Sequence, residues 1–171
     1  MFVSQTVMGY LERSGVEFEL VAHRHSANSL QTARAAHIEP DALAKGVLMA
    51  DEEQYWLAVI PASRRLNRWA LESLVETEPL MLAQEEDMPV IFRDCERGAL
   101  PIVGPAFGVQ TAFDDALLEA DDVYFEAGDH EHLVHLTQEQ FKQLMAGHLH
   151  GLISHRPRTR SRSHTRLHRS S

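Results

Sequence analysis

The residues of this chain that could do chemistry are few and stand out by position. Outside an arginine-rich C-terminus there are eight arginines but only two lysines, Lys45 and Lys142. Lys142 sits among Gln138, Gln140 and Gln143, in the pattern of a solvated helix face. Lys45 instead opens an apolar run, Leu43-Ala44-Lys45-Gly46-Val47-Leu48-Met49. A compact ammonium at a strand end, followed by a glycine that admits a close backbone, can hold a phosphate or polarise a carbonyl oxygen. A lysine snorkelling from a sheet rim would give the same pattern. A second feature is the loop Asp94-Cys95-Glu96-Arg97-Gly98-Ala99-Leu100-Pro101-Ile102-Val103-Gly104. Little is polar from Gly98 onward, so the backbone N–H and C=O groups are its main recognition chemistry, suited to an amino-acid ester or its developing oxyanion. A purely structural connection is the other reading. Third, His130, His132 and His135 follow Gly128 and Asp129, with His23 and His25 near the start. On a strand, His130 and His132 share a face and His135 points the other way. Their spacing matches no familiar zinc pattern, so no metal is expected; one histidine working as a substrate contact is the better expectation, and for His132 and His135 a satisfied or exposed surface histidine is better still. Cys95 is the only cysteine, which excludes an internal disulfide and a cysteine metal cluster. A lone cysteine reads first as a small packed residue, not a nucleophile.

Alternating helical and extended signals supply the elements that must hold these residues. Ser4 caps a helix to about Ser14, with Val7, Met8 and Leu11 on one face and Gly15 as its stop. Residues 17–22 read as a strand and 30–37 as an alanine-rich helix. Lys45 to Ala50 and Tyr55 to Ile60 read as a hairpin around Asp51–Gln54, ended by Pro61. Asn67 starts a helix expected to carry Trp69, Ala70 and Leu74 toward a core. From Pro79 to Gly108 prolines and glycines gather into structured loops. Strands are expected at 109–113, 123–127 and 133–136. Thr137 and Gln140 form a capping box for a last helix with Phe141, Leu144 and Met145 on one face. The pattern predicts a mixed α/β single domain with a curved, barrel-like, mostly antiparallel sheet flanked by helices.

A chain of 171 residues suits one core, and 44% hydrophobic with 24% charged residues is an ordinary globular mixture. No apolar run reaches the roughly 18 residues of a membrane span, and the first residues lack the pattern of a signal peptide, so a cytoplasmic protein with no membrane partner is expected. The net charge of −9 hides an asymmetry. Residues 155–171 carry six arginines and no acid, so residues 1–154 hold 10 Lys and Arg against 25 Asp and Glu, a net −15. An acidic body is a poor general binder of nucleic acid, and DNA is not expected as a partner. The segment 155–171 reads as a disordered tail, either a tether for an RNA backbone or a solvated extension without a role.

In order along the chain, His23-Arg24-His25-Ser26, Thr32-Ala33-Arg34-Ala35-Ala36, Leu43-Ala44-Lys45-Gly46-Val47-Leu48, Ala58-Val59-Ile60-Pro61-Ala62, Arg65-Leu66, Asp94-Cys95-Glu96-Arg97-Gly98-Ala99-Leu100-Pro101 with Gly104, Phe125-Glu126-Ala127-Gly128 and Phe141 resemble the YbaK/prolyl-tRNA-editing family of aminoacyl-tRNA deacylases. The resemblance covers roughly residues 16–146 and implies an editing domain over 1–154. It implies hydrolysis of a mischarged aminoacyl-tRNA carrying a small amino acid, with tRNA for proline the expected carrier. Lys45 falls on the family's essential lysine, near the phosphate and terminal adenosine. Gly98 falls on the glycine-proline loop that positions the ester, with Gly46, Ala99, Leu100, Pro101 and His130 as substrate contacts. Ile102 follows Pro101 where many members have a second proline. No cofactor is implied. Aminoacyl-tRNA is the implied partner and, in second place, an aminoacyl-tRNA synthetase. An activated ester beside a ribose hydroxyl needs positioning and oxyanion stabilisation more than a protein nucleophile. A non-catalytic module holding a nucleotide or aminoacyl group is the alternative.

Overall fold

The computed structural model describes residues 2–158. Local signals set most elements. Helix α1 (Gln5–Ser14) starts at Ser4, whose hydroxyl accepts the Val7 N–H, and it buries Val7 and Leu11. Strand β1 (Glu19–Ala22) follows, then α2 (Ser29–Ala36), capped by the Asn28 side chain. Strands β2 (Ala44–Ala50) and β3 (Tyr55–Pro61) form the expected hairpin, in a register that sets Lys45 opposite Ile60 and Ala50 opposite Tyr55. Asp51 Oδ1 closes its turn by accepting the N–H groups of Glu53 and Gln54, both at 2.7 Å. Next come β4 (Arg65–Leu66), α3 (Arg68–Val75), β5 (Met81–Leu82) and the single turn α4 (Met88–Ile91). The remainder is β6 (Gln110–Asp114), β7 (Asp122–Glu126), β8 (His132–Thr137), α5 (Gln138–Met145), β9 (Leu149–Gly151) and β10 (Ser154–His155). The capping box of Thr137 and Gln140 opens α5.

The strands make three sheets: β5-β2-β3-β6-β9, β1-β8-β7 and the ribbon β10-β4. Pairing is antiparallel except for β3–β6 and β6–β9. The domain is mixed α/β, as expected, but among the described residues none of the sheets closes into a barrel; a single bridge from Leu43 to Tyr124 links the larger two. The main core lies between these sheets, where Leu48, Leu57, Phe113, Phe125, Val134 and Phe141 pack. A second cluster under α3 takes the other face of β3 through Ala58 and Ile60. Strand β3 is thus covered on both sides, which is why its sequence is continuously apolar where a half-exposed strand would alternate.

Helix α3 departs from expectation. Trp69 is 72% exposed, and the helix buries Leu71, Glu72 and Val75. The phase is misread because Glu72 looks like a surface residue, yet its carboxylate accepts the Leu80 N–H at 2.7 Å and takes an inward position. Near the expected boundary at 154, β10 pairs with β4, and Arg156 meets Asp41 at 3.3 Å. Residues 159–171 of the expected tail lie outside the described residues. No helix among the described residues is long and apolar enough to cross a membrane.

Candidate functional site

The start of α1 fastens two loops together. Asp94 accepts the Ser4 hydroxyl at 2.7 Å and the Thr6 N–H at 2.9 Å, while Ser4 N–H donates to Ala127 O at 2.8 Å. Glu96 N–H donates to Gly128 O at 2.7 Å. Burial pushes the Asp94 carboxyl upward, but the donors from Thr6 and Ser4 outweigh it and hold its pKa below the ordinary value. The glycine-proline loop is therefore moored beside the turn between β7 and β8. Within it, Ala99 and Ile102 are fully buried, Pro101 is buried and Leu100 half-buried. Ile102 anchors the loop to the main core, the work its size and position allow. The Ala99 N–H is taken by Glu96 O at 3.0 Å, so it is not free to receive an oxyanion. Cys95 is no thiolate: burial foremost, with Asp94 beside it, pushes its pKa up to about 12.

The histidines divide differently from the expectation that His130 and His132 share a strand face. His130 lies in the turn ahead of β8, in the left-handed region at φ 59°. Asp129 builds that turn, accepting the N–H groups of Glu131 and His132 at 3.0 and 2.9 Å and facing His132 Nδ1 at 2.6 Å. His135 is held by Glu19 and Asp122 and stacks on Tyr124. His130 alone of the three faces the loop. It is 5% exposed, and Nε2 donates to the carbonyl of Arg97. A carbonyl can only accept, so the proton belongs on Nε2 and Nδ1 carries a lone pair. That Nδ1 is buried without a hydrogen-bond partner. Gly98 (φ 82°) passes over the ring so closely that an added Cβ would sit 3.4 Å from His130 Cε1.

Behind His130 is a polar cluster that sequence reasoning did not single out. The hydroxyls of Ser26 and Thr32 lie 2.6 Å apart, and Thr32 Oγ1 reaches Glu126 Oε1 at 3.0 Å. Glu126 Oε2 and Glu96 Oε1 are buried with no partner, and the His25 ring stands 5.4 Å from that of His130. Ser26, Thr32 and Glu126 all lie in family-like segments, and an acid inside the apolar stretch Val-Tyr-Phe-Glu-Ala was the available signal. Burial, only partly offset by Thr32 and His130, raises the Glu126 pKa. A raised carboxyl pKa favours the fold in its protonated form, and that stability fades as pH climbs from about 4.5 through the folded value. Glu126→Gln keeps the Thr32 contact and removes the ionisation. It is expected to raise the melting temperature near neutral pH and leave it unchanged at acid pH; a variant that melts lower at pH 7.5 would show that the carboxylate is structurally required.

Lys45 and Gly46 leave β2 on opposite sides. Gly46 faces the loop: a Cβ there would lie 3.4 Å from Pro101 O and 2.8 Å from Leu57 Cδ1. Lys45 shares the other side with Val47 and Met49. It is half-buried, its Nζ reaching Ala62 O at 3.5 Å. Loss of water, then repulsion from Arg65, lowers its pKa. Gly46 with Pro101, and Gly98 with His130, are therefore brought together, while the contact of Lys45 is with the end of β3. Among the described residues no three His, Cys, Asp or Glu converge as metal ligands would.

A family model described as an aminoacyl-tRNA editing domain matches residues 23–144. Among solved structures, a hypothetical protein is similar at TM-score 0.76 and 19% identity, over 88% of this chain and 100% of its own. A candidate trans-editing enzyme for prolyl tRNA synthetase is similar at TM-score 0.75 and 22% identity, over 90% of this chain and 99% of its own. A candidate signal transduction protein from Marinobacter aquaeolei VT8 aligns at TM-score 0.69 and 18% identity, over 90% of this chain and 31% of its own. At these identities the likeness is one of fold. No curated protein sequence matches the chain.

Proposed function

This chain belongs to the aminoacyl-tRNA editing domain family, and from that premise we propose that it is a deacylase that clears mischarged tRNA after release from the synthetase. The observation that carries the reading is the set of buried, unpartnered acceptors around the Gly98 loop: His130 Nδ1, Glu126 Oε2 and Glu96 Oε1. Such a site calls for a ligand rich in donors. The aminoacylated end of a tRNA offers a ribose hydroxyl and an α-ammonium. Lys45 supplies the complementary charge for a phosphate or for the carbonyl oxygen.

Hydrolysis adds water to the ester carbonyl and breaks the bond to the ribose oxygen, which takes up a proton; the products are the free amino acid and uncharged tRNA. Water attack on so activated an ester requires orientation and charge stabilisation more than a covalent intermediate; the moored loop and His130 are the proposed orienting groups, and Lys45, on the other side of β2, the proposed source of charge. The loop around the buried Ala99 and Pro101 is the element we take to favour small side chains over large ones. The trans-editing assignment of one similar structure makes tRNA for proline the first carrier to try; the cytoplasm is the proposed place of action. A deacylation panel across mischarged tRNAs tests the reaction and the substrate together. Hydrolysis of alanyl-, seryl- or cysteinyl-tRNA above the uncatalysed rate supports the proposal, and no hydrolysis of any member sinks it.

Gly98→Ala probes the loop. The residue is exposed, so the added methyl disturbs no core, but it strains a left-handed backbone by about 1–2 kcal/mol. It also comes into van der Waals contact with the His130 ring. Activity per folded molecule is expected to fall by at least about tenfold, because small misplacements at a reacting centre are costly. A melt that collapses while activity is retained would make the loop a structural connection only.

A further inference from the structure

A groove of about 630 Å³ opens on the side of β2 away from the glycine-proline loop. Val47 and Met49 form its floor, and Leu66, Trp69, Met81 and Leu82 its walls. Side chains alternate along a strand, so Val47 follows Lys45 on the same face after one pleat, about 7 Å further on. The floor of the groove thus starts one pleat beyond Lys45, which does not itself line it. Its walls are unusually apolar for a free surface: Trp69 is 72% exposed, Leu82 71% and Met81 56%. The Arg68 guanidinium sits 5.2 Å from the centre of the Trp69 ring.

Cations gather at the same edge. The ribbon sets Arg65 opposite His155, and His155 lines the groove. Arg68 lines the groove beside Trp69, whereas Arg64 and Arg156 line a separate opening with Asp41 and Glu119. Glu72, the acid nearest in sequence to Trp69, is turned inward: one carboxylate oxygen accepts Leu80 N–H at 2.7 Å and the other lies 3.9 Å from Arg68 Nε. In a body of net −15 this concentration is local. A second opening, about 790 Å³, is lined by Asp51, Glu52, Glu53, Glu78 and Asp87 and would repel a polyanion.

We infer that the groove beside Lys45 is a nucleotide site for unpaired RNA, with a base stacked on Trp69 and its phosphates on the cationic edge. An indole open to solvent offers a face to any base, and the edge supplies what the backbone needs. A second copy fits poorly, since docking would bring two strongly acidic bodies together. Given the deacylase reading, the occupant is the single-stranded stretch that precedes the acylated adenosine of tRNA, held as the ester enters the site.

Fluorescence anisotropy of a labelled ACCA tetranucleotide tests the groove directly. Wild-type protein is expected to bind it with affinity that falls as salt rises. Trp69→Ala should weaken binding about tenfold or more, while Trp69→Phe keeps most of it. With mischarged tRNA, Trp69→Ala should raise KM by a similar factor at unchanged kcat, whereas an aminoacyl-adenosine ester, lacking the upstream nucleotides, should be hydrolysed equally by both proteins. Should wild-type protein hydrolyse neither ester while tetranucleotide binding still depends on Trp69, the deacylase reading falls and the groove stands. Absent binding, or equal binding by Trp69→Ala, overturns the inference. A dimer in sedimentation that Trp69→Ala dissolves also overturns it, by assigning the face to a second copy.

Discussion

Lys45→Ala is expected to lower kcat/KM for deacylation by about 10²–10³, the usual effect of removing one electrostatic group aimed at developing charge. Stability should hardly change. The ammonium is half-buried and partly stripped of water, with Arg65 adding repulsion, so its loss relieves as much as it removes. Its one protein contact, to Ala62 O, is long at 3.5 Å. Lys45→Arg should also be impaired: a planar fork is bulkier than an ammonium and cannot sit at the same point beside Arg65. Initial rates with the best member of the tRNA panel, beside thermal melts, decide the matter. An undiminished rate in Lys45→Ala would remove this residue from the chemistry and leave the acceptor cluster around His130 to carry it alone.

Gly104→Ala is expected to do the reverse, costing stability while leaving the activity of folded molecules intact. A Cβ at this buried position would lie 2.0 Å from Thr111 Oγ1 and 2.7 Å from Val109 O. The second of these is backbone, held in the approach to β6, and cannot swing away as a side chain can. Overpacking of this kind costs about 3 kcal/mol, which in a domain of this size lowers the melting temperature by roughly 6–12 °C. Thr111→Ala in the same chain removes the hydroxyl but not the carbonyl, so it should restore only part of the loss. A melt unchanged in Gly104→Ala would show that the turn at 104–107 moves freely from β6. The two glycines of the family-like loop thus have different work: Gly98 keeps the surface clear over His130, and Gly104 lets two backbones meet.

What could be read in the sequence was local. The caps of α1 and α5, the β2–β3 hairpin and its Asp51 turn each follow from residues within a few positions of one another. The phase of α3 was hidden because Glu72 is bound by a backbone group eight residues further on. Strands β4, β5, β9 and β10 have two or three residues each, too few for alternation to register. At the site, Lys45, the Gly98 loop and His130 were visible as isolated chemistry or as family-like motifs. The Ser26–Thr32–Glu126 cluster was not, since Thr32 and Glu126 meet across 94 positions through the packing of α2 on β7. The turn that sets His130 apart from His132 is made by the buried Asp129 carboxylate, which in sequence resembled one more surface acid.

The pairing of β1 with β8 sets Glu19 beside His135 and Ala22 beside His132. On a ribosome the chain emerges in one direction, and Lys45 is exposed to the cell long before the strand that closes this sheet has been made. Among the described residues strand β1 pairs in its sheet with β8 alone, so it has no sheet partner until β8 has been made. The loop containing Gly98 waits as well, since Glu96 is tied to Gly128 O. A partly synthesised chain therefore presents a lysine and a sheet edge but no assembled site. The proposed activity would arrive in one late step, once residues through Thr137 are free to fold back on the beginning of the chain.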